Sequence, residues 1–148
     1  MLSLLLPLLL AGTSAAVLSE RQTLSGSDIC NQIAGDVAGT VYYQLDLSPN
    51  FSSDIEHFMS SSSETPQCVV EVTGTDDVSS VLKIVGSSRT PFAIKSGGHA
   101  SNPGFSSTTG VHISLAKLTQ INLSADKKTV EIGLGNVRFP RPEYPTRD

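Results

Sequence analysis

The chain has 148 residues, of which 39% are hydrophobic and 16% charged, so it is long enough for one modest domain. This composition is typical of a globular chain and excludes a wholly disordered one. The formal net charge is -4, and basic residues cluster only at the very end. Nucleic-acid binding requires a concentrated basic surface, so we expect no nucleic-acid partner.

The first 16 residues are typical of a secretory signal peptide. A leucine-rich run fills positions 2–10 and small residues follow at 11–16, which is the order of an apolar core and its cleavage site. The run is shorter than the roughly 20 apolar residues that span a bilayer, and Pro7 interrupts it. We therefore expect cleavage near Ala15 or Ala16 and a secreted, extracellular protein with no membrane contact. An uncleaved anchor is the alternative, because no Lys or Arg precedes the leucines.

Secretion bears on the two cysteines, Cys30 and Cys68. In an oxidising compartment an even pair predicts a disulfide, which would tie an N-terminal segment over 17–67 to the domain that follows. Two buried free thiols are the alternative. A metal site is not expected, because no His or Cys stands at ligand spacing from either cysteine. The sequons that begin at Asn50 and Asn122 predict glycosylation of a secreted chain.

Three short elements are predicted in the N-terminal segment: a helix capped by Asp28 and running through Ile33, a strand over 41–43, and an amphipathic helix over 53–59. The last helix would place Ile55, Phe58 and Met59 on one side. His57 would then lie at the protein surface.

A clearer pattern begins at Cys68. It predicts a strand over 68–72, then a helix capped by Thr75 or Asp76 and ending near Gly86, with apolar positions at Val78, Val81, Leu82 and Val85. Further strands are predicted over 92–94, 111–115, 121–123 and 129–132, the last two joined by a polar turn. The strand over 111–115 alternates, so His112 would be solvated or lie at an edge. The order of elements predicts an α+β fold with a mixed sheet and a few short helices.

The residues most suggestive of chemistry follow the strand over 92–94. In Ser96-Gly97-Gly98-His99 the adjacent glycines allow a positive φ and a close approach to a ligand. Successive amide N–H groups in such a turn can converge into a nest that holds an anion, typically a pyrophosphate. An ordinary glycine turn beside a surface His is the alternative. These residues alone leave both interpretations open.

Four collinear stretches resemble a known family: Thr75–Val81, Pro91–His99, Asn102–Phe105 and Val130–Gly135. Together they resemble the first FAD-binding subdomain of the PCMH-type flavoproteins, the group that includes vanillyl-alcohol oxidase and the berberine bridge enzyme-like oxidases. The secreted fungal members are the most similar. The resemblance places a partial FAD-binding domain over 68–137.

The resemblance implies a role for each residue of the glycine segment. Five residues would line the FAD pyrophosphate, mostly through their amides: Ser96, Gly97, Gly98, His99 and Ala100. His99 also occupies the position that in many members bonds covalently to the 8α-methyl of the flavin, a reaction suited to neutral imidazole. Lys95 stands where many relatives have Arg. Gly133 and Gly135 match a segment that passes close to the flavin, although turn chemistry alone explains glycine there equally well.

The family resemblance ends before the irregular, Pro- and Arg-rich tail over 138–148. Members of the family continue with a second FAD-binding subdomain and a substrate domain, so we expect an incomplete N-terminal portion whose catalytic residues are unknown. The implied function is that of an FAD-dependent oxidoreductase, an oxidase or dehydrogenase of a small alcohol, sugar or related substrate. A small secreted binding module without redox activity is the alternative.

Overall fold

The computed structural model describes residues 25–136, which form three α-helices, two 3-10 helices and six strands. The α-helices are α1 (Gly26–Asp36), α2 (Pro49–Ile55) and α3 (Thr75–Ser88), and the 3-10 helices are Gln44–Asp46 and Ser60–Ser62. The strands are β1 (Thr40–Tyr43), β2 (Cys68–Glu71), β3 (Phe92–Lys95), β4 (Val111–Ser114), β5 (Ile121–Leu123) and β6 (Val130–Ile132). The predicted signal peptide over 1–16 and the tail over 138–148 lie outside the described residues.

Four strands form a mixed sheet in the order β1-β2-β4-β3, and β5 and β6 form a separate antiparallel hairpin. β1 is antiparallel to β2, whereas β4 runs parallel to both β2 and β3. Helix α3 connects β2 to β3, which is the crossover that parallel strands require. The predicted α+β fold with a mixed sheet and a few short helices is therefore confirmed.

The apolar core lies on the face of this sheet covered by α1 and α3. Cys68 and Val70 of β2 and Val111 and Ile113 of β4 are fully buried there. The predicted disulfide between Cys30 and Cys68 joins α1 to β2, with the two Cα atoms 6.1 Å apart. Among residues 25–136, no helix is both long and apolar enough to cross a membrane.

Helices α1 and α3 form where periodicity predicts them, but their ends differ from the prediction. Helix α1 begins after Ser25, and Asp28 accepts a hydrogen bond from the Ser25 N–H (3.1 Å) instead of capping the helix. Gly74 precedes α3, so neither Thr75 nor Asp76 caps it, and the helix continues past Gly86 to Ser88.

The buried side of α3 also differs in part from the prediction. Val81 and Val85 are buried as predicted, and Val78 packs partly against the core. Leu82, however, is exposed, and the buried fourth position is Ile84, which lies on the same side as Val81 and Val85.

The predicted helix over 53–59 is wrong in position. Helix α2 instead starts with Pro49, and Ser48 accepts a hydrogen bond from the Asn50 N–H (3.3 Å), both of which are signals of a helix start. The chain leaves the helix at Glu56, which has extended backbone angles. Phe58 and Met59 are consequently exposed and do not form an apolar helix face.

His57 was predicted to lie at the surface and His112 to be solvated or at an edge, but both are buried. His57 follows α2 and is only 5% exposed, and His112 on β4 is 1% exposed. β4 lies between β2 and β3, so His112 has neighbours on both sides. The face of the sheet opposite the apolar core is thus also covered, and it carries the polar side chains of Glu71, Lys95, His112 and Ser114 beside the apolar Val69.

Candidate functional site

The segment Ser96–Ala100, termed here the glycine loop, leaves the end of β3 and borders an open cleft of about 450 Å³. The cleft is lined by Ser53, Glu56, His57, Phe58, Lys95, Gly97 and His99. The structure thus brings the glycine loop together with the chain that follows α2, a contact that the sequence did not predict. Within the loop, His99 is exposed in this cleft, whereas Gly98 is buried.

Gly98 adopts a backbone conformation that favours glycine, with φ of 68°. Its carbonyl accepts a hydrogen bond from the Phe58 N–H (3.0 Å), which fixes the loop against the chain after α2. A Cβ atom at Gly98 would lie 2.6 Å from Lys95 Cε and 3.1 Å from the Glu56 carbonyl oxygen. The positive φ therefore favours glycine at this position, and an added Cβ would also displace the end of the Lys95 side chain.

The amide groups of the glycine loop are free to bind a ligand. The N–H groups of Gly97, Gly98, His99 and Ala100 donate to no acceptor within residues 25–136. Free donors next to a left-handed residue are the elements of an anion-binding nest. The loop therefore has the backbone donors that a pyrophosphate group would require, and it borders the cleft through Gly97 and His99.

A group of buried polar side chains lies on the same face of the sheet as Lys95. Ser114 on β4 donates a hydrogen bond to Asp54 Oδ1 (2.9 Å), while Asp54 Oδ2 and His112 Nε2 are buried without a partner in the described part of the chain. Burial raises the pKa of Asp54, and the hydrogen bond from Ser114 opposes this. Burial, assisted by the positive charge of Lys95, lowers the pKa of His112 to about 4, so this imidazole is neutral at pH 7.

His57 connects the chain after α2 to Ser106, which follows the glycine loop in the sequence. Its Nε2 is 2.9 Å from Ser106 Oγ, and its Nδ1 is 2.9 Å from the Ile55 carbonyl oxygen. Ser106 itself has a left-handed φ of 54°. No local signal in the sequence points to this contact, because the two side chains that form it are 49 positions apart.

The segment over 130–135 lies next to the glycine loop, since the Ser96 hydroxyl donates to the Leu134 carbonyl. A Cβ atom at Gly133 would lie 2.1 Å from the Leu118 carbonyl oxygen, and one at Gly135 would lie 2.3 Å from that of Leu115. Close packing against the chain over 115–118 therefore suffices to explain both glycines. Among residues 25–136, no cluster of three or more His, Cys, Asp or Glu side chains is arranged to hold a metal ion.

Comparison with known proteins identifies the same part of the chain. Residues 66–139 match a family model described as FAD binding domain. The FAD-dependent monooxygenase macF of Penicillium terrestre is 51% identical over 71 residues, which are 47% of this chain and 14% of that protein. The FAD-dependent monooxygenase yanF of Aspergillus niger is 42% identical over 71 residues, 47% of this chain and 12% of its own length.

Solved structures match the fold over a larger part of the chain. Xylooligosaccharide oxidase from Myceliophthora thermophila C1, solved with xylobiose, superimposes with a TM-score of 0.62 at 14% identity. The match covers 72% of this chain and 22% of the oxidase. The fold is therefore shared, and this chain spans about a fifth of the oxidase and about a seventh of the curated relatives.

Proposed function

Because the chain belongs to the FAD binding domain family, with the matched residues 66–139 making up half of it, we propose that its glycine loop holds the pyrophosphate of FAD within an oxidoreductase. The observation that carries this proposal is the set of free amide N–H groups around Gly98 at the edge of the cleft. In this proposal Ser96, Gly97, Gly98, His99 and Ala100 contact the pyrophosphate mainly through their backbone.

When bound, FAD would supply the redox chemistry, namely hydride acceptance. The residues of this chain bind and orient the cofactor. The Gly98–Phe58 hydrogen bond holds the loop against the chain after α2. We propose a flavin oxidase or dehydrogenase whose substrate is a small alcohol, sugar or related compound. The oxidase solved with xylobiose supports a sugar, while the monooxygenase names of the curated relatives support molecular oxygen as the electron acceptor.

His99 is proposed as the residue that bonds covalently to the flavin. Its imidazole is exposed and lines the cleft, directly after the two glycines whose amides are free. A nucleophile in that position is accessible to a cofactor whose pyrophosphate is held by the same loop.

We also propose that the chain is secreted, with the signal peptide removed and glycans on Asn50 and Asn122. The disulfide between Cys30 and Cys68 supports an oxidising compartment, and both asparagines are exposed. Expression in a secreting host, followed by intact mass before and after enzymatic deglycosylation, tests the proposal. A chain retained in the cell with its first 16 residues still present would contradict it.

The experiment for the FAD site compares two glycine substitutions in the secreted chain, Gly98→Ala and Gly104→Ala. Both glycines have a left-handed φ, 68° and 73°, so each alanine carries a similar backbone cost of about 1 kcal/mol. A Cβ at Gly104 meets nothing within 4 Å, whereas one at Gly98 collides with Lys95 and approaches the Glu56 backbone.

Fluorescence-quenching titration with FAD distinguishes the two effects. We expect Gly98→Ala to weaken FAD binding by roughly tenfold or more, since about 1.4 kcal/mol corresponds to a factor of ten. Gly104→Ala should bind FAD as the unsubstituted chain does. Equal affinities of the two variants would place the pyrophosphate somewhere other than the glycine loop.

A further inference from the structure

Lys95 immediately precedes the glycine loop, and no role could be assigned to it from the sequence. It is the last residue of β3, and its carbonyl accepts a hydrogen bond from the Leu115 N–H (2.9 Å). The residue is only 9% exposed, yet it lines the cleft together with Gly97 and His99. Its Nζ lies 3.5 Å from where a Cβ of Gly98 would be, so the ammonium group is adjacent to the loop backbone.

This ammonium group has no close anionic partner within residues 25–136. The ion pair formed there joins Lys117 Nζ to Glu71 Oε1 (3.4 Å) and does not involve Lys95. Burial lowers the pKa of Lys95, while the charges of Asp54 and Glu56 act in the opposite direction. The ammonium group thus borders the cleft without a contacting carboxylate, and an anion bound there could accept a charge-assisted hydrogen bond from it.

We propose that Lys95 is an anion-binding residue that contacts the cofactor pyrophosphate from below, while the loop amides contact it from the side. The inference rests on the proposed function for its ligand, FAD. The geometry favours this role because the aliphatic part of Lys95 occupies the space left by the missing side chain of Gly98. Glycine at 98 and lysine at 95 are then parts of one site: the first opens the space, and the second places a charge in it.

Three substitutions test the role of the charge. Lys95→Met removes it and retains an unbranched side chain, Lys95→Arg preserves it, and Lys117→Met removes a neighbouring lysine charge that is already paired with Glu71. Affinities are measured by titration with FAD, with inorganic pyrophosphate, and with riboflavin, which lacks the pyrophosphate.

We expect Lys95→Met to weaken binding of FAD and of inorganic pyrophosphate by roughly 10- to 100-fold, which is typical for loss of a hydrogen bond to a charged group. Riboflavin binding should not change. Lys95→Arg should restore most of the affinity, and Lys117→Met should behave like the unsubstituted chain. Equal weakening of FAD and riboflavin by Lys95→Met would indicate a merely structural lysine and overturn the inference.

A measurement on the unsubstituted chain keeps the inference testable if Lys95→Met fails to fold. The Lys95 side-chain NMR signals are followed during addition of inorganic pyrophosphate and, separately, of FAD. A saturable shift of these signals supports the role of Lys95. A chain that fails to bind FAD but shows the shift with pyrophosphate would refute the proposed function and retain the anion site, whereas unchanged signals with both probes would overturn the inference.

Discussion

Removal of the disulfide between Cys30 and Cys68 should cost a large part of the stability of the domain. The bond closes a loop with a sequence separation of 38, for which the chain-entropy relation gives about 4 kcal/mol at 25 °C. Both cysteines are fully buried in the core between α1 and the sheet. Replacing both by alanine also removes two sulfur atoms from that core, at about 1 kcal/mol each. The expected total is about 6 kcal/mol, comparable to the whole stability of many domains.

Urea unfolding followed by circular dichroism can separate the two contributions. The unsubstituted chain in reducing agent loses only the cross-link, so its free energy of unfolding should fall by about 4 kcal/mol. The double variant Cys30→Ala/Cys68→Ala should fall by about 2 kcal/mol more, because it also loses packing. A change below about 1 kcal/mol on reduction would refute the conclusion that this bond holds α1 against the sheet.

Three further predictions concern single side chains. The pKa of buried His112 is about 4 in the folded chain, below its usual 6.5, so the stability that the neutral imidazole provides is complete above pH 6.5. This part of the free energy of unfolding should decline by about 3 kcal/mol as the pH falls to 4. His112→Gln should remove the decline when urea unfolding is measured across this pH range. Asp77 accepts hydrogen bonds from the amides of Ala38 (2.8 Å), Gly39 (3.1 Å) and Thr73 (2.8 Å). Asp77→Ala should therefore lower the free energy of unfolding at pH 7 by roughly 3 kcal/mol. An unchanged free energy of unfolding would show that these bonds are dispensable. His99→Ala should release all flavin when the protein is denatured in acid, and flavin that stays with the polypeptide would identify another attachment residue.

The acid sensitivity of Asp77 has the same sign as that of His112 but a different range. Burial opposes ionisation of Asp77, yet its hydrogen bonds to Thr73, Ala38 and Gly39 hold its pKa below the ordinary 3.8. Its contribution is therefore present above that ordinary value and is lost as the pH falls through the lowered pKa. Loss of stability between pH 6.5 and 4 consequently reports on His112 and not on Asp77.

Much of the fold was predictable because local patterns and burial agree. Strand β2 is a mainly apolar run, and α3 repeats its apolar residues at helical spacing, so both elements were predicted in place although the ends of α3 and one of its buried positions were not. The glycine loop was visible in the sequence as a turn after a strand, but its residues alone did not distinguish a ligand-binding turn from an ordinary one. The resemblance to flavoproteins is what implies FAD as the ligand of those glycines.

The burial of polar side chains near the loop was not predictable from local patterns. His57, His112 and Lys95 are polar, and nothing in their immediate sequence indicates that they are buried. Their burial arises because the chain after α2 packs over the second face of the sheet, through contacts such as Phe58 to Gly98 that join positions 40 apart. The prediction of a helix over 53–59 failed for a related reason: the start signals at Ser48 and Pro49 outweighed the apolar spacing.

The claim that the glycine loop binds the FAD pyrophosphate can be tested most directly by NMR of the ¹⁵N-labelled chain during titration with FAD. We expect the largest amide shifts at Gly97, Gly98, His99 and Ala100, and we expect inorganic pyrophosphate to shift the same signals. Shifts confined to other parts of the chain, with these four amides unchanged at saturating FAD, would contradict it.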